Sequence, residues 1–170
     1  MPETGVVTAR LLEAISGLAR NSDKPLIVAD SRRGLRGYPK VIFKMNRAEL
    51  AFLTGRKPPL ELDAVKTLAV ELARKQTRDV FVTLAEDGII GASPDGHCEH
   101  VPALPLRGEI DIVGAGDAVT ANLTSSLAAG ADLRSALELA SAASSVVIHQ
   151  LGTTGTASVR EIEEILALKV

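Results

Sequence analysis

Asp111-Ile112-Val113-Gly114-Ala115-Gly116-Asp117, running into the alanine-rich stretch 118–129, is the part of the sequence from which the rest can be read outward. Gly114, Ala115 and Gly116 are small enough for successive backbone N–H groups to approach a bound anion, and a helix beginning there adds the positive end of its dipole. Asp117, in the first turn of that helix, sets a carboxylate beside the same anion, where it can take the proton of an attacking hydroxyl during phosphoryl transfer. The same spacing also suits a glycine-rich strand-to-helix turn in which Asp117 is a cap or a first-turn acid. Two other phosphate motifs do not fit. There is no Gly-x-x-x-x-Gly-Lys-Ser/Thr stretch, and Val119 stands where a dinucleotide fingerprint wants Gly or Ala.

On either side of this stretch the pattern alternates between helical and strand periodicity. Beyond it, helices are predicted over 133–150 and 159–168. Before it come strands over 89–93 and 97–101, joined by the turn Pro94-Asp95-Gly96, and a buried strand over 80–84. Further back, helices over 47–54 and 61–75 are separated by Gly55, Pro58 and Pro59, and strands over 26–29 and 41–43 flank a charged stretch over 31–37. Leu11, Leu12, Ile15, Leu18 and Ala19 recur at helical spacing in a helix that starts at Thr8 and ends near Asn21-Ser22-Asp23. Strands alternating with helices predict an α/β sandwich with a mainly parallel sheet and antiparallel strands at one edge. The ligand site of such a sheet lies at the carboxyl ends of its strands, which is where Asp30, Asn46, Ala85 and the Asp111 loop are expected.

The chain has 170 residues, enough for one domain with a real core. Hydrophobic residues at 46% and charged residues at 24% argue against disorder. Aromatics at 2% leave the core to Ala, Leu, Val and Ile, which suit helices packed on a buried parallel sheet. A net charge of −2 offers no basic field, and no aromatics are interleaved for base stacking, so no nucleic-acid partner is expected. Cys98 is the single cysteine, which excludes an intrachain disulfide and suits a reducing compartment. With no apolar run long enough for a bilayer and no signal-like start, no membrane association is expected and the assignment is cytoplasmic.

The 111–117 segment resembles the carboxyl-terminal signature of the ribokinase-like, or PfkB, carbohydrate kinases, Asp-Thr-x-Gly-Ala-Gly-Asp ahead of a small-residue helix. Three further stretches resemble the family in the same order. Asn46-Arg47-Ala48-Glu49 is similar to its Asn-x-x-Glu motif, 82–88 to its Val-Thr-x-Gly-x-x-Gly nucleotide loop, and 140–152 to the helix and turn that close over the adenine. The resemblance implies a ribokinase-like three-layer αβα sandwich. Members of that family are longer, and their amino-terminal half carries a sugar-binding Gly-Gly motif and a β-sheet lid that this sequence lacks. Thr4 to Thr8 resembles the middle of such a kinase, so residues 1–170 are expected to be the single carboxyl-terminal, nucleotide-binding portion. Val28 to Arg33 resembles the heptose-phosphate kinase branch.

The implied activity is ATP-dependent phosphoryl transfer to a sugar hydroxyl, with a nucleotide and a sugar as partners and either a homo-oligomer or a separate amino-terminal half expected. A non-catalytic nucleotide-binding or scaffold module is the alternative, since an uncovered sugar site admits water. By resemblance, Asp117 is the base, and Gly114, Ala115 and Gly116 present N–H groups to the γ-phosphate. Asn46 and Glu49 organise Mg²⁺ through water, while Asp111, read as a strand-end residue, helps hold a monovalent cation such as K⁺. From the residues alone, Asn46 and Glu49 equally spell a capping box, and Asp111 a simple cap.

Thr83, Ala85 and Gly88 are implied nucleotide contacts, and Ser141, Ser144 and Ser145 form a narrow face for adenine or for close helix packing. By the same resemblance, Gly152-Thr153-Thr154-Gly155 is expected to form the turn beside the nucleotide and to offer carbonyls to the cation. Three departures stand out. Ala85 replaces a Gly, and its methyl group disfavours positive φ. Ile112 replaces a Thr, and Asn122 a small Gly. His97-Cys98-Glu99-His100 looks like a metal site, but on a strand His97 and Glu99 point one way and Cys98 and His100 the other. His149 reads as a residue of a helix's last turn, and Arg32, Arg33 and Arg36 as a solvated loop that can meet a substrate phosphate.

Overall fold

A computed structural model describes residues 7–21, 25–32 and 34–167. The readings that fall on Thr4 to Val6, Ser22, Asp23, Arg33 and Leu168 lie outside the described residues. In chain order the elements are α1 (Ala9–Asn21), β1 (Val28–Ala29), β2 (Ile42–Asn46), α2 (Arg47–Thr54), α3 (Leu62–Gln76), β3 (Val80–Thr83), β4 (Ile89–Ala92), β5 (Cys98–Val101), α4 (Ala115–Ala128), α5 (Leu133–Val147) and α6 (Val159–Ala167).

The strands form one sheet in the order β1-β2-β3-β4-β5. β1, β2 and β3 pair in parallel, and β4 and β5 add on antiparallel beyond β3, so only β4 runs against the rest. The expected antiparallel edge is present, and it follows from chain length: five residues between β4 and β5 suffice for a hairpin but not for a crossover helix. Asn46 pairs with Thr83, which brings the carboxyl ends of β2 and β3 level.

Both faces of the sheet are covered, and the strict alternation of side chains sorts the core into two layers. Phe43, Met45, Val80, Val82 and Ile90 point to one side, against Leu50 of α2 and Val65, Leu68, Ala69 and Leu72 of α3, with Ile15 and Ala19 of α1 at the margin. Ile42, Phe81, Ile89 and Val101 point to the other, against Val119 and Leu123 of α4 and Leu133, Ala136, Leu137 and Ala140 of α5. α6 lies outside α5 and closes a smaller cluster made of Ala142, Ala143, Val146, Ile162 and Ile165.

Helix ends follow local chemistry. Asp132 caps α5 by accepting the Ser135 N–H at 2.8 Å, and that bond holds its carboxyl below the usual range. The main departure from expectation is the signature helix, which begins at Ala115 rather than at 118. Gly114 in the left-handed region is a sufficient stop for the preceding loop, so the helix winds directly from it.

Phe81 is fully buried between the sheet and α5, within the layer that seats α4. Phe81→Ala is expected to cost about 3–5 kcal/mol of unfolding free energy, measured by urea denaturation; a loss below about 1 kcal/mol would contradict this packing.

Candidate functional site

The first turn of α4 sits beside the carboxyl end of the sheet. Its N-cap is Gly114 at φ 85°, and a Cβ there would lie 2.1 Å from the Thr154 carbonyl oxygen, so only glycine allows the turn after α5 to press against this helix end. Ala115 donates its N–H to the Ile112 carbonyl at 3.2 Å, and Ala118 to Gly114 at 2.9 Å. This corrects the expected cradle. The Ala115 N–H is engaged inside its own turn, and Gly116 and Asp117 are the first-turn residues whose N–H groups meet no acceptor among the described residues. The Asp117 side chain is exposed, and no donor among the described residues is bonded to it.

A charge that the motifs did not mark lies beneath this turn. Lys44 alternates with Ile42 on the α4 side of β2 and is 5% exposed. Its ammonium is 2.8 Å from Asp30 Oδ2 at the end of β1, and 3.3 Å from the position a Cβ on Gly116 would take. The Thr120 hydroxyl, one turn further along α4, lies 3.2 Å from the same Asp30 oxygen and 2.9 Å from the Gly116 carbonyl, its single proton available to either acceptor. Any side chain at Gly116 would crowd the ammonium. The signal was present in the sequence as a lysine inside the otherwise apolar run 41–45.

Asp111 is not at a strand end. The chain leaves β5 at Val101 and runs without regular structure to α4, and Asp111 is placed there by its N–H to the Ile148 carbonyl at 2.8 Å. Its carboxylate accepts the Val113 N–H at 3.0 Å and the Gly152 N–H at 3.2 Å, which ties the loop before α4 to the turn after α5. Asp111, Gly114, Gly152 and the Thr154 carbonyl are thus brought together. Leu106, Ile110, Ile112, Val113 and Leu151, on the two joined segments, are exposed.

Asn46 and Glu49 form a complete capping box at α2: Asn46 Oδ1 accepts the Glu49 N–H at 2.9 Å, and Glu49 Oε2 accepts the Asn46 N–H at 2.8 Å. The capping alternative is therefore real, and it also fixes both side chains at the level end of β2 and β3. Thr83 is tied back to β2 through the Met45 carbonyl at 3.4 Å. The next loop is a single 3₁₀ turn over Ala85–Asp87, closed by Leu84 N–H to the Gly88 carbonyl at 2.8 Å and pinned by an Arg47–Asp87 ion pair.

Ala85 adopts φ 54°, so the methyl group did not exclude the left-handed conformation; the surrounding turn imposes it. Gly88, an expected nucleotide contact, is also required for packing. At φ 91°, its Cβ would lie 2.1 Å from the Val101 carbonyl oxygen and 2.6 Å from the Ala103 nitrogen.

The remaining candidates are spread out. Ser145 is buried in α5, and Ser141 and Ser144 are half-buried, which favours close helix packing for Ser145. Arg36 lies over the Phe52 ring at 5.8 Å, and Arg32 is exposed. His97 Nε2 is 3.2 Å from Glu99 Oε1, on the same face as expected, and burial pushes the Cys98 thiol up while Lys66 opposes that. Among the described residues no three His, Cys, Asp or Glu side chains gather around a common point. A cavity of about 230 Å³ opens at the opposite end of the sheet, between Leu26, Ile27, Val41, Ile42 and Asp79, away from all of these groups. No helix among the described residues is long and apolar enough to cross a membrane.

Two tests follow from this geometry. Asp30→Ala leaves the Lys44 ammonium buried without its partner and is expected to cost about 3 kcal/mol, whereas Lys44→Met should cost about 1 kcal/mol or less, because Asp30, 29% exposed at its side chain, can be hydrated. Equal losses in thermal denaturation would refute the asymmetry. Ala85→Gly should stabilise the chain by about 1 kcal/mol, while Gly88→Ala should destabilise it by about 2 kcal/mol or more; the reverse order of melting temperatures would show that the two positions have been misread.

The sequence pattern of the pfkB family carbohydrate kinases matches residues 4–160. The bifunctional protein HldE of Azorhizobium caulinodans is 38% identical over 151 residues, spanning 88% of this chain and 31% of that protein. That of Hyphomonas neptunium is 34% identical over 165 residues, spanning 96% and 34%. The chain therefore covers about a third of the length of these relatives. Among solved structures, Escherichia coli phosphofructokinase-2 in complex with potassium superposes with a TM-score of 0.67 at 28% identity, over 75% of this chain and 40% of that one. Arabidopsis thaliana ribokinase complexed with ribose and ATP superposes with a TM-score of 0.73 at 19% identity, over 92% and 51%, a likeness of fold.

Proposed function

The chain belongs to the pfkB family of carbohydrate kinases, and from that premise we propose that it is the ATP-binding portion of a sugar kinase, carrying the anion hole and the base for phosphoryl transfer to a sugar hydroxyl. The observation that carries the reading is the first turn of α4. Among the described residues, the N–H groups of Gly116 and Asp117 have no acceptor and the Asp117 carboxylate no donor, and Gly116 lies beside the buried Lys44.

Bound ATP supplies the phosphoryl group, and Mg²⁺ supplies neutralising charge on its phosphates. The residues present fit these groups. Gly116 leaves open a space that any Cβ would fill, and the N-terminal end of the α4 dipole favours an anion there. Asp117 accepts the proton of the sugar hydroxyl. Asn46 and Glu49, held by their capping box, are the residues that would hold Mg²⁺ through water, which needs no cluster of direct ligands. Asp111 and the Thr154 carbonyl are the groups for a monovalent cation, consistent with the potassium named for E. coli phosphofructokinase-2. Thr83, Ala85, Ser141 and Gly152 border the nucleotide, and the exposed Leu106, Ile110 and Leu151 supply apolar surface for its base. The run Val28 to Arg33, with the similarity to the HldE proteins, supports a heptose phosphate as the acceptor.

A second reading, a non-catalytic nucleotide-binding or scaffold module, is favoured by the exposure of Ile112 at 74% and Val113 at 54% beside the anion hole. Water reaches such a site, and the acceptor sugar is not enclosed. Asp117→Asn, in the protein with its amino-terminal half supplied, separates the two. The expected result is a loss of turnover of about 10²–10⁴-fold with nucleotide affinity retained in calorimetry. Unchanged turnover rejects Asp117 as the base, and absence of nucleotide binding by the parent protein rejects both readings.

A further inference from the structure

We propose that His149 is a positioning residue: its imidazole, as the neutral tautomer protonated at Nδ1, anchors the loop before α4 and so holds the anion hole in register. The role rests on the kinase reading for its purpose, but the anchor itself can be tested without it.

His149 lies just past α5, with both ring nitrogens bonded. Nδ1 is 2.6 Å from the Ser145 carbonyl oxygen, and Nε2 is 2.9 Å from the Arg107 backbone nitrogen. A carbonyl only accepts and a backbone N–H only donates, so one bond requires a proton on Nδ1 and the other requires a bare Nε2. Neither an imidazolium nor the other tautomer satisfies both. The Nδ1 bond fixes the ring to its own helix, and the Nε2 bond reaches across to a different segment.

That segment needs an anchor. Residues 103–110 belong to no helix or strand, and among the described residues the Arg107–His149 contact is the one hydrogen bond made by their backbone. Four residues later the Asp111 N–H bonds to Ile148, the neighbour of His149, so the loop is fastened at two points to adjacent residues. Asp111 then fixes Val113 and Gly152 through its carboxylate, and Gly114, the N-cap of α4, is in contact with Thr154. Position at Arg107 is thereby passed to the turn that presents the Gly116 and Asp117 N–H groups. A floppy loop here would let Asp111 move relative to the turn after α5, and with it the phosphate seat.

Two isosteres test this. The amide of His149→Gln places an acceptor near the position of Nε2, while His149→Asn reaches only as far as Nδ1. In the Asn variant, hydrogen exchange at the Arg107 and Asp111 amides is expected to speed up by about tenfold, with the core amides of Phe81 and Leu137 unchanged, and the Gln variant should recover most of the protection. Nucleotide-analogue affinity should fall by about tenfold in the Asn variant and return in the Gln variant. Nitrogen-15 spectra of the unmodified chain should show the Nδ1-protonated tautomer. An imidazolium or Nε2-protonated ring at neutral pH, unchanged exchange in the Asn variant, or a Gln variant as impaired as the Asn variant each overturns the proposal. If the parent chain binds no nucleotide, the kinase reading fails, while exchange and spectra still judge the anchor.

Discussion

A positive charge enclosed in an apolar layer has to be neutralised, and the carboxyl end of this sheet is organised around that demand at Lys44. Its ammonium sits where alternation along β2 would otherwise place a hydrophobic residue, facing α4. Asp30 at the end of β1 supplies the counter-charge, and Thr120 of α4 joins the same carboxylate oxygen. A strand end, a strand interior and a helix are thereby locked together by one cluster. Desolvating an ammonium costs several kcal/mol, so an arrangement that keeps it paired is strongly favoured over one that shifts α4 by even part of a turn. The helix N-terminus, the glycine at 116 and the carboxylate of Asp117 take their places from this constraint.

Around the cluster, the loops are held by bonds that cross between segments far apart in sequence. Asp111 joins the loop before α4 to the turn after α5, and the Arg47–Asp87 pair joins the start of α2 to the turn after β3. His100 reaches the Asp87 carbonyl at 2.7 Å from the edge strand β5. The result is a rim of irregular backbone with defined geometry above a close-packed interior. This is where binding groups are usually carried, because loops can present unpaired N–H and carboxylate groups that a core cannot.

The departures from the family pattern have separate physical consequences. Ala85 is held at φ 54° in its 3₁₀ turn, at the expense of local strain. Asn122 is accommodated by bonding its own side chain back to the Ala118 carbonyl at 2.9 Å. Ile112 is 74% exposed, an apolar group at the rim where the family pattern has a hydroxyl. The first two are absorbed by the fold, whereas the third changes the exposed surface beside the start of α4.

Apolar pattern and punctuation made most of the architecture legible. The strands were marked by short apolar runs bounded by Gly, Pro and Asp, since a sheet covered on both faces buries nearly every strand residue; the amphipathic helices were marked by spacing near 3.6, and α4 by its glycine motif. The motif residues Asp117, Gly114 and Gly116 were equally visible, because a turn that must approach an anion admits few residue types. Spacing did not reveal which N–H groups remain free. Ala115 spends its own on Ile112, a bond that depends on where the helix starts. Nor could it show that Gly88 is required by the backbone of residues 101–103, that Asp111 belongs to an irregular loop, or that Lys44 meets Asp30 and Gly116. These are contacts between residues distant in sequence. The sequence by itself determined which residues can be inside and which can turn; only the tertiary structure, by bringing a strand end, a strand interior and a helix within hydrogen-bond reach, decided which charges and N–H groups are paired and which are not.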